Sequence, residues 1–375
     1  MAAITFLVFM GLNTAVAEKP DPLFSSQLHS TSLISRSLGG AGTAMPMGVM
    51  QGLVNPALTY SYRSQLPERG AVALGYNNDT LYEKVQIPAG VSFANRDGAL
   101  GLFYEAKSGS AGDLHTFVAN FAGRLSEQVD AQGPVEYGLK FKYQRIGRSE
   151  QMLDPLRRDG FVQSGSGQTT DTTLFSAVDT STALKNNHYI RTLSMDLGFY
   201  QSNVATNLDF SLVARNLLGY NWQRNSVALV ETTVSDTINE SIVVISKQEY
   251  EKSEEKDRGW LGSRYRALVT GVAYRVYLSN GRIELTLPLD IEIYGLFDRE
   301  VDRVYIFRSG LQTRLFENFY VRFGFARAPE ALSEVLSTIS KENMIFGGAG
   351  LVVDPVRIDF SMGKDQWGVC ATLEF

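Results

Sequence analysis

Trp367-Gly368-Val369-Cys370-Ala371-Thr372-Leu373-Glu374-Phe375 ends the chain. Apolar groups occupy every odd position, and small or polar residues fill the even ones. A β-strand turns successive side chains to opposite faces, so this order puts all the apolar groups on one side. The pattern recurs upstream. Ile283, Leu285, Leu287, Leu289, Ile291 and Ile293 alternate with Glu284, Thr286, Pro288, Asp290 and Glu292. Phe319, Val321, Phe323 and Phe325 alternate with Tyr320, Arg322 and Gly324. Leu208, Phe210 and Leu212 alternate with Asp209, Ser211 and Val213. A helix, with its period of about 3.6, cannot sort these residues into two faces. Pro288 removes one ladder donor and predicts a local bend or bulge.

The whole chain reads as strands at approximately 71–79, 85–93, 98–107, 114–124, 134–146, 190–202, 206–217, 265–277, 281–293, 302–314, 318–327, 343–353, 355–363 and 367–375. That makes about fourteen, an even number, as single-chain bacterial barrels require. A terminal strand closing on an aromatic residue resembles the end signature of bacterial outer-membrane barrels. The expected fold is therefore all-β: a transmembrane antiparallel β-barrel formed by residues 71–375.

Composition agrees with that reading. Net charge is −5, which leaves no basic surface for nucleic acid. Mean hydropathy of −0.09 suits a wall whose apolar and polar residues alternate. The 17 Tyr, 21 Phe and 34 Gly match aromatic girdles and strand bends. The single Cys370 excludes an internal disulfide, and His29, His115 and His188 have no metal-ligand spacing. Gly-x-Ser-x-Gly, His-Glu-x-x-His and P-loop motifs are absent, so no catalytic residue, cofactor or metal is expected.

At the N-terminus, Ala3 to Leu12 is apolar but too short to span a membrane. Ala15-Val16-Ala17 matches a small-residue cleavage site, so residues 1–17 read as a signal peptide, although no Lys or Arg precedes the apolar core. Residues 18–70 do not alternate. They carry Ser35-Arg36-Ser37-Leu38-Gly39-Gly40-Ala41-Gly42-Thr43-Ala44, then Met45, Met47, Met50 and Leu53, then Asn55-Pro56-Ala57. Gly40-Ala41-Gly42 lacks the third glycine and the preceding strand of a dinucleotide loop.

The glycine-rich segment, Asn-Pro-Ala and a barrel after them resemble the FadL-like outer-membrane transporters of long-chain fatty acids and hydrophobic compounds. The resemblance implies that residues 18–70 are a hatch in the lumen. Gly39, Gly40 and Gly42 would be hatch backbone, and Asn55, Pro56 and Ala57 its turn beside the wall. It also implies lateral exit through the third strand, here with Gly98, Gly101 and Phe103, and docking of barrel assembly machinery on Phe375. Met45-Pro46-Met47-Gly48-Val49-Met50 departs from the acidic and small residues usual in that family. Met45, Met47, Met50 and Leu53 are candidate ligand-lining residues, since Met adapts to flexible apolar ligands; filling gaps between hatch and wall is the alternative.

Connection lengths supply an independent argument. The long connections, 147–189, 218–264 and 328–342, all lie between an odd strand and the next even one. Short turns such as Asn95-Arg96-Asp97-Gly98, Ser279-Asn280-Gly281 and Asp354-Pro355 lie on the other side. Long outer loops and short inner turns are a barrel property. Within 218–264, Val227–Val230 and Ser241–Ile245 read either as a hairpin beyond the wall or as two further wall strands; the charged run Glu251–Arg258 favours the hairpin. Pro329 can open a loop helix with Leu332, Val335, Leu336 and Ile339 on one face.

The alternation assigns Glu136, Lys140, Lys142, Asp196, Asp209, Arg215, Glu284, Asp290, Glu292, Arg322, Arg357 and Asp359 to the interior. Mixed charges there either pair with one another and with the hatch or hydrate an open pore. The implied function is passive transport of a hydrophobic small molecule or fatty acid across the bacterial outer membrane, in contact with its lipid. A non-transporting escort barrel, as in PorV-like relatives, and a general porin are the alternatives.

Overall fold

The computed structural model describes residues 32–61, 69–79, 84–108, 113–126, 132–155, 159–165, 170–176, 179–238, 241–248, 253–262, 265–279, 282–295, 303–316, 318–327, 343–363 and 366–375. The expected signal peptide and the expected helix in 328–342 lie outside these residues. By its internal contacts the chain divides into two compact units.

The first unit holds residues up to Gln144, Thr192–Tyr220 and Trp260–Phe375. Its wall strands are β1 (Arg69–Asp79), β2 (Lys84–Ala94), β3 (Ala99–Ser108), β4 (Asp113–Arg124), β5 (Val135–Pro155), β6 (Asp179–Ala205), β7 (Leu208–Ile238), β8 (Ala267–Leu278), β9 (Ile283–Tyr294), β10 (Val304–Leu315), β11 (Phe319–Arg327), β12 (Asn343–Val353), β13 (Val356–Gly363) and β14 (Gln366–Glu374). Each pairs with the next, and β14 returns to β1 with Leu74 opposite Ala371 and Val72 opposite Leu373. The ring of fourteen strands is closed, so no edge is left unpaired. Gly70 N–H donates to the Phe375 carbonyl at 2.7 Å, and Phe375 N–H donates back at 3.0 Å.

Side chains divide as the alternation requires. On β14 Trp367, Val369, Leu373 and Phe375 face out, while Gly368, Cys370 and Thr372 face in. On β13 Ile358, Phe360 and Met362 are exposed and Arg357, Asp359 and Ser361 are buried. The exposed apolar band spans the whole ring, from Leu74 through Leu102, Phe121, Leu193 and Phe210 to Phe323. Aromatic pairs mark both rims. Tyr76 lies 5.4 Å from Trp367 at one end, and Phe93 lies 6.4 Å from Phe375 at the other. An apolar outer band with aromatic girdles is a lipid-facing surface. This is a transmembrane β-barrel.

The buried apolar residues are concentrated instead in residues 32–61. These form helix α1 (Leu33–Ser37), a 3-10 turn (Val49–Leu53) and helix α2 (Leu58–Ser61). Leu38, Ala41, Ala44, Met45, Val49, Ala57 and Leu58 are almost wholly covered. Their neighbours are the inner faces of the strands, so the core of this protein is the packing of one segment against a surrounding wall.

Several boundaries differ from the sequence reading. β1 begins at Arg69, two residues earlier, and Gly98 belongs to the turn before β3 rather than to the strand. Asn95 Oδ1 accepts the Asp97 and Gly98 N–H groups there at 3.0 and 2.9 Å. Pro288 produces no bulge: Thr286 faces Gln312 and Leu289 faces Ser309 in one continuous register. The proline only leaves a gap in the ladder. Segments 147–189 and 218–264 are largely strand, because their Thr and Val runs favour pairing over open loop. The second unit, Arg145–Arg191 and Asn221–Gly259, contains the far parts of β5, β6 and β7. It also holds the hairpin Asp159–Gly165 with Thr170–Ser176. Ser241–Gln248 pairs with Thr232–Ile238, not with Val227–Val230, and stays off the ring.

Phe323 sits at the middle of β11 on the lipid face. Phe323→Arg is expected to lower barrel stability by about 2–4 kcal/mol, as a charge near the bilayer midplane does, while Phe323→Leu changes it little. Denaturant titration of protein folded into vesicles measures both.

Candidate functional site

Two sets of wall glycines receive the luminal segment. Gly324 on β11 lies against Leu38 and Gly39, and Gly348 on β12 against Ser37. Gly138 on β5 and Gly198 on β6 lie against Asn55, Pro56 and Ala57. A Cβ at Gly138 would fall on the Pro56–Ala57 peptide, and one at Gly324 on the Leu38–Gly39 peptide. Glycine is required on the segment as well: Gly39 and Gly40 have φ of 69° and 88°, a turn that closes α1. At the other set, Asn55 folds its side chain back so that Oδ1 accepts the Ala57 N–H at 3.1 Å. Its Nδ2 donates to the carbonyls of Thr43 and Phe199 at 2.9 and 3.2 Å.

Between these anchors the wall holds the backbone of the segment with polar groups. Asp290 on β9 is the main one. Its Oδ2 accepts Gly42 N–H at 2.9 Å and Thr43 N–H at 3.0 Å, and its Oδ1 accepts the Thr43 hydroxyl at 2.9 Å. Ser211 on β7 donates to the same hydroxyl at 2.9 Å. Lys140 Nζ donates to the Leu53 carbonyl at 2.9 Å, and Asn120 Nδ2 to the Gly52 carbonyl at 2.8 Å. Arg36 reaches Gln86 at 2.8 Å, and Tyr60 donates to the Arg96 carbonyl at 2.8 Å.

The remaining interior charges pair chiefly with one another across neighbouring strands. Asp196 binds Lys140 at 2.7 Å and Lys142 at 2.8 Å. Glu292 lies between Arg215, at 2.5 Å, and Arg308, and accepts the Tyr294 hydroxyl. Asp359 lies between Arg322 and Arg357 at 2.9 and 2.7 Å. Both guanidiniums stand within 5.5 Å of the Tyr320 ring centre. Arg275 binds Asp209, which also accepts the Tyr200 hydroxyl. Paired and hydrogen-bonded ions of this kind avoid the cost of a lone buried charge. All twelve residues assigned to the interior from the sequence face it. Their partners, however, are mostly each other; among these charged side chains, Asp290, Lys140 and Glu136, the last with Ser61, bond to the segment.

The four candidate lining residues do not share one pocket. Met45 and Met47 pack with Ile34, Leu38, Ala41, Ala44 and Ala273. Met50 and Leu53 pack with Leu33, Val49, Phe103, Val118 and Cys370. Phe103, from the third strand, thus joins Met50 and Leu53. Its ring lies in a slot between Gly90 and Gly101, with Gly52 facing its edge. β3 itself is fully laddered, from Ala94 opposite Ala99 to Val85 opposite Ser108 on one side and from Ala122 to Leu114 on the other. Sequence reasoning missed the sockets Gly138, Gly198, Gly324 and Gly348. Glycine at inward positions of otherwise regular strands is the signal that marks them.

Neither a protein-family model nor a curated protein sequence matches this chain. Solved structures do. The Pseudomonas putida toluene transporter TodX superimposes with a TM-score of 0.53 at 10% identity, covering 92% of this chain and 98% of that one. The CymD monoaromatic hydrocarbon channel gives 0.51 at 11% identity, with 91% and 95% covered. The Ralstonia pickettii toluene transporter TbuX gives 0.50 at 12%, with 93% and 98% covered. At these identities the likeness is one of fold.

Removing the Asp290 carboxylate leaves two buried N–H groups unpaired, at about 1–3 kcal/mol each. Asp290→Ala is therefore expected to loosen the segment, giving protease cleavage within residues 40–50 and measurable bilayer currents. Glu284→Ala, on the same strand but paired with Arg314, serves as the control and should stay closed and resistant. An Asp290→Ala protein as closed as wild type would contradict the assignment.

Proposed function

We propose that this chain is a passive outer-membrane channel for hydrophobic small molecules, with residues 18–70 as its hatch. One observation carries the reading: an apolar segment packs against the inner faces of a lipid-exposed wall, fixed by glycine sockets and by hydrogen bonds to its backbone. Such an interior is a poor route for water and ions. It is a better one for an apolar solute, because each methylene moved out of water is worth about 0.8 kcal/mol. The fold it shares with channels described as toluene and monoaromatic hydrocarbon transporters supports the same class of cargo. Long-chain fatty acids belong to that class.

Passage requires the segment to move, since it fills the route. Its bonds differ in kind. Socket contacts at residues 37–39 and 55–57 are steric and tight. The bonds of residues 42–53 are hydrogen bonds that can be exchanged. Movement of the middle of the segment would separate Met50 and Leu53 from Phe103 and free the slot between Gly90 and Gly101. We place lateral exit there, at β3. The ladder is unbroken in this structure, so exit needs β3 to shift when cargo arrives.

Intact bacterial cells expressing the chain should take up radiolabelled toluene or oleate faster than cells lacking it. Purified wild type should pass only small currents in planar bilayers, and a variant lacking residues 32–61 large steady ones. Large steady wild-type currents would instead indicate a general porin. A stoichiometric surface protein retained without any uptake would indicate an escort barrel.

A further inference from the structure

Above the paired charges, the inner face of β4, β5 and β6 carries neutral polar groups left without partners. Gln144, Thr192 and Ser194 are all at least 95% buried. The Gln144 Oε1 and the Thr192 and Ser194 hydroxyls have no hydrogen-bond partner among the described residues. Gln144 Nε2 makes one long bond, 3.4 Å, to the Thr116 hydroxyl. β5 and β6 pair, and both Lys140 and Lys142 on β5 reach Asp196 on β6. Residues 140–142 thus pass residue 196, and the antiparallel sense carries Gln144 on the inner face toward Ser194 and Thr192.

The band carries no formal charge. Asp196 is taken by Lys140 and Lys142, whose further donors go to the Leu53 carbonyl and to Asn216. Glu105, opposite Thr116 in register, is paired with Lys107 at 3.1 Å. Apolar side chains adjoin the band. The inward neighbours of Thr116 on β4 are Leu114 and Val118, both buried, and Val118 packs with Phe103 and Met50. Buried polar groups in folded proteins nearly always have partners. Three in one place, beside apolar side chains, describe a receptor for one neutral polar group on an apolar body.

Resting on the transport reading above, we infer that this band binds an uncharged, hydroxyl-bearing amphiphile such as an alkylphenol or a long-chain alcohol. With the segment moved away from Phe103 as above, the ligand hydroxyl donates to Gln144 Oε1 and accepts from Thr192 or Ser194, and its apolar body lies along Leu114, Val118 and Phe103. A carboxylate has no hydrogen to give Gln144. A hydrocarbon leaves every group in the band unpaired, which costs a polar site part of its affinity.

Equilibrium binding of 4-pentylphenol, pentylbenzene and 4-pentylbenzoate to the full chain in lipid nanodiscs tests this. Wild type is expected to bind 4-pentylphenol about tenfold more tightly than pentylbenzene, the worth of one satisfied hydrogen bond. The triple variant Gln144→Leu, Thr192→Val, Ser194→Ala should bind the two alike. Ser194→Ala alone, which changes least, should lose about a third to a half of that preference on a logarithmic scale and keeps the test open if the triple variant does not fold. Equal wild-type affinities for phenol and hydrocarbon, tighter binding of the benzoate, or an undiminished phenol preference in the variants would overturn the inference. So would a structure with the phenol in which only ordered water meets the band. Wild-type binding of pentylbenzene without phenol preference would leave the transport reading standing; binding of none of the three would remove both.

Discussion

A peptide group in hydrocarbon has no water to turn to, and each unpaired one costs several kcal/mol. Every strand of the wall must therefore have two neighbours, and the first must find the last. The return of β14 to β1, finished by the reciprocal bonds of Gly70 with Phe375, meets that demand. Once the ring is closed, alternation follows. Outward positions carry Leu, Val, Ile and Phe because lipid tolerates nothing else cheaply. Inward positions become free to carry charge.

That freedom creates a second problem, and its solution gives the interior its character. Carboxylates and cations enclosed by a wall are costly unless paired. Here Glu292, Asp209 and Asp196 draw cations from other strands, and Asp359 draws one from its own strand and one from β11. The pairing ties the wall together laterally and leaves few charges for the segment inside. Lys140 reaches the Leu53 carbonyl as well, and the chief exception is Asp290. It has spent its acceptors on two N–H groups and a hydroxyl of residues 42 and 43. Among the described residues the segment is thus held chiefly by hydrogen bonds, many of them to its backbone, and by shape. Contacts of that kind let it be exact in position without being covalently locked.

The shape component is carried by absent side chains. Gly138, Gly198, Gly324 and Gly348 weaken the strands in which they sit. They are tolerated because the peptide planes of residues 37–39 and 55–57 occupy the room. The same logic seats the Phe103 ring against Gly90 and Gly101. Apolar packing inside this protein is therefore local, in two clusters on different parts of the segment, with the methionines divided between them.

How much of this was legible beforehand depends on the length scale of the cause. Strand count, the sorting of Phe323 from Arg322 and of Leu289 from Asp290, and the change of character before β1 follow from alternation, which is a property of neighbouring residues. So the wall and its inward charges could be read from the chain alone. Strand ends beyond 146 and 217 were misjudged, since polar Thr-rich runs look like loop until a partner strand is known. Partners were not legible at all. Whether Asp290 meets a cation or a backbone N–H, whether Met45 and Met50 share a pocket, and which glycines are sockets depend on residues hundreds of positions apart being brought together by ring closure. The sequence by itself determined a lipid-facing barrel with a non-strand segment ahead of it. Only the tertiary structure decided where that segment sits and what holds it, because hydrogen bonds act over about 3 Å and that proximity does not exist until the ring has closed.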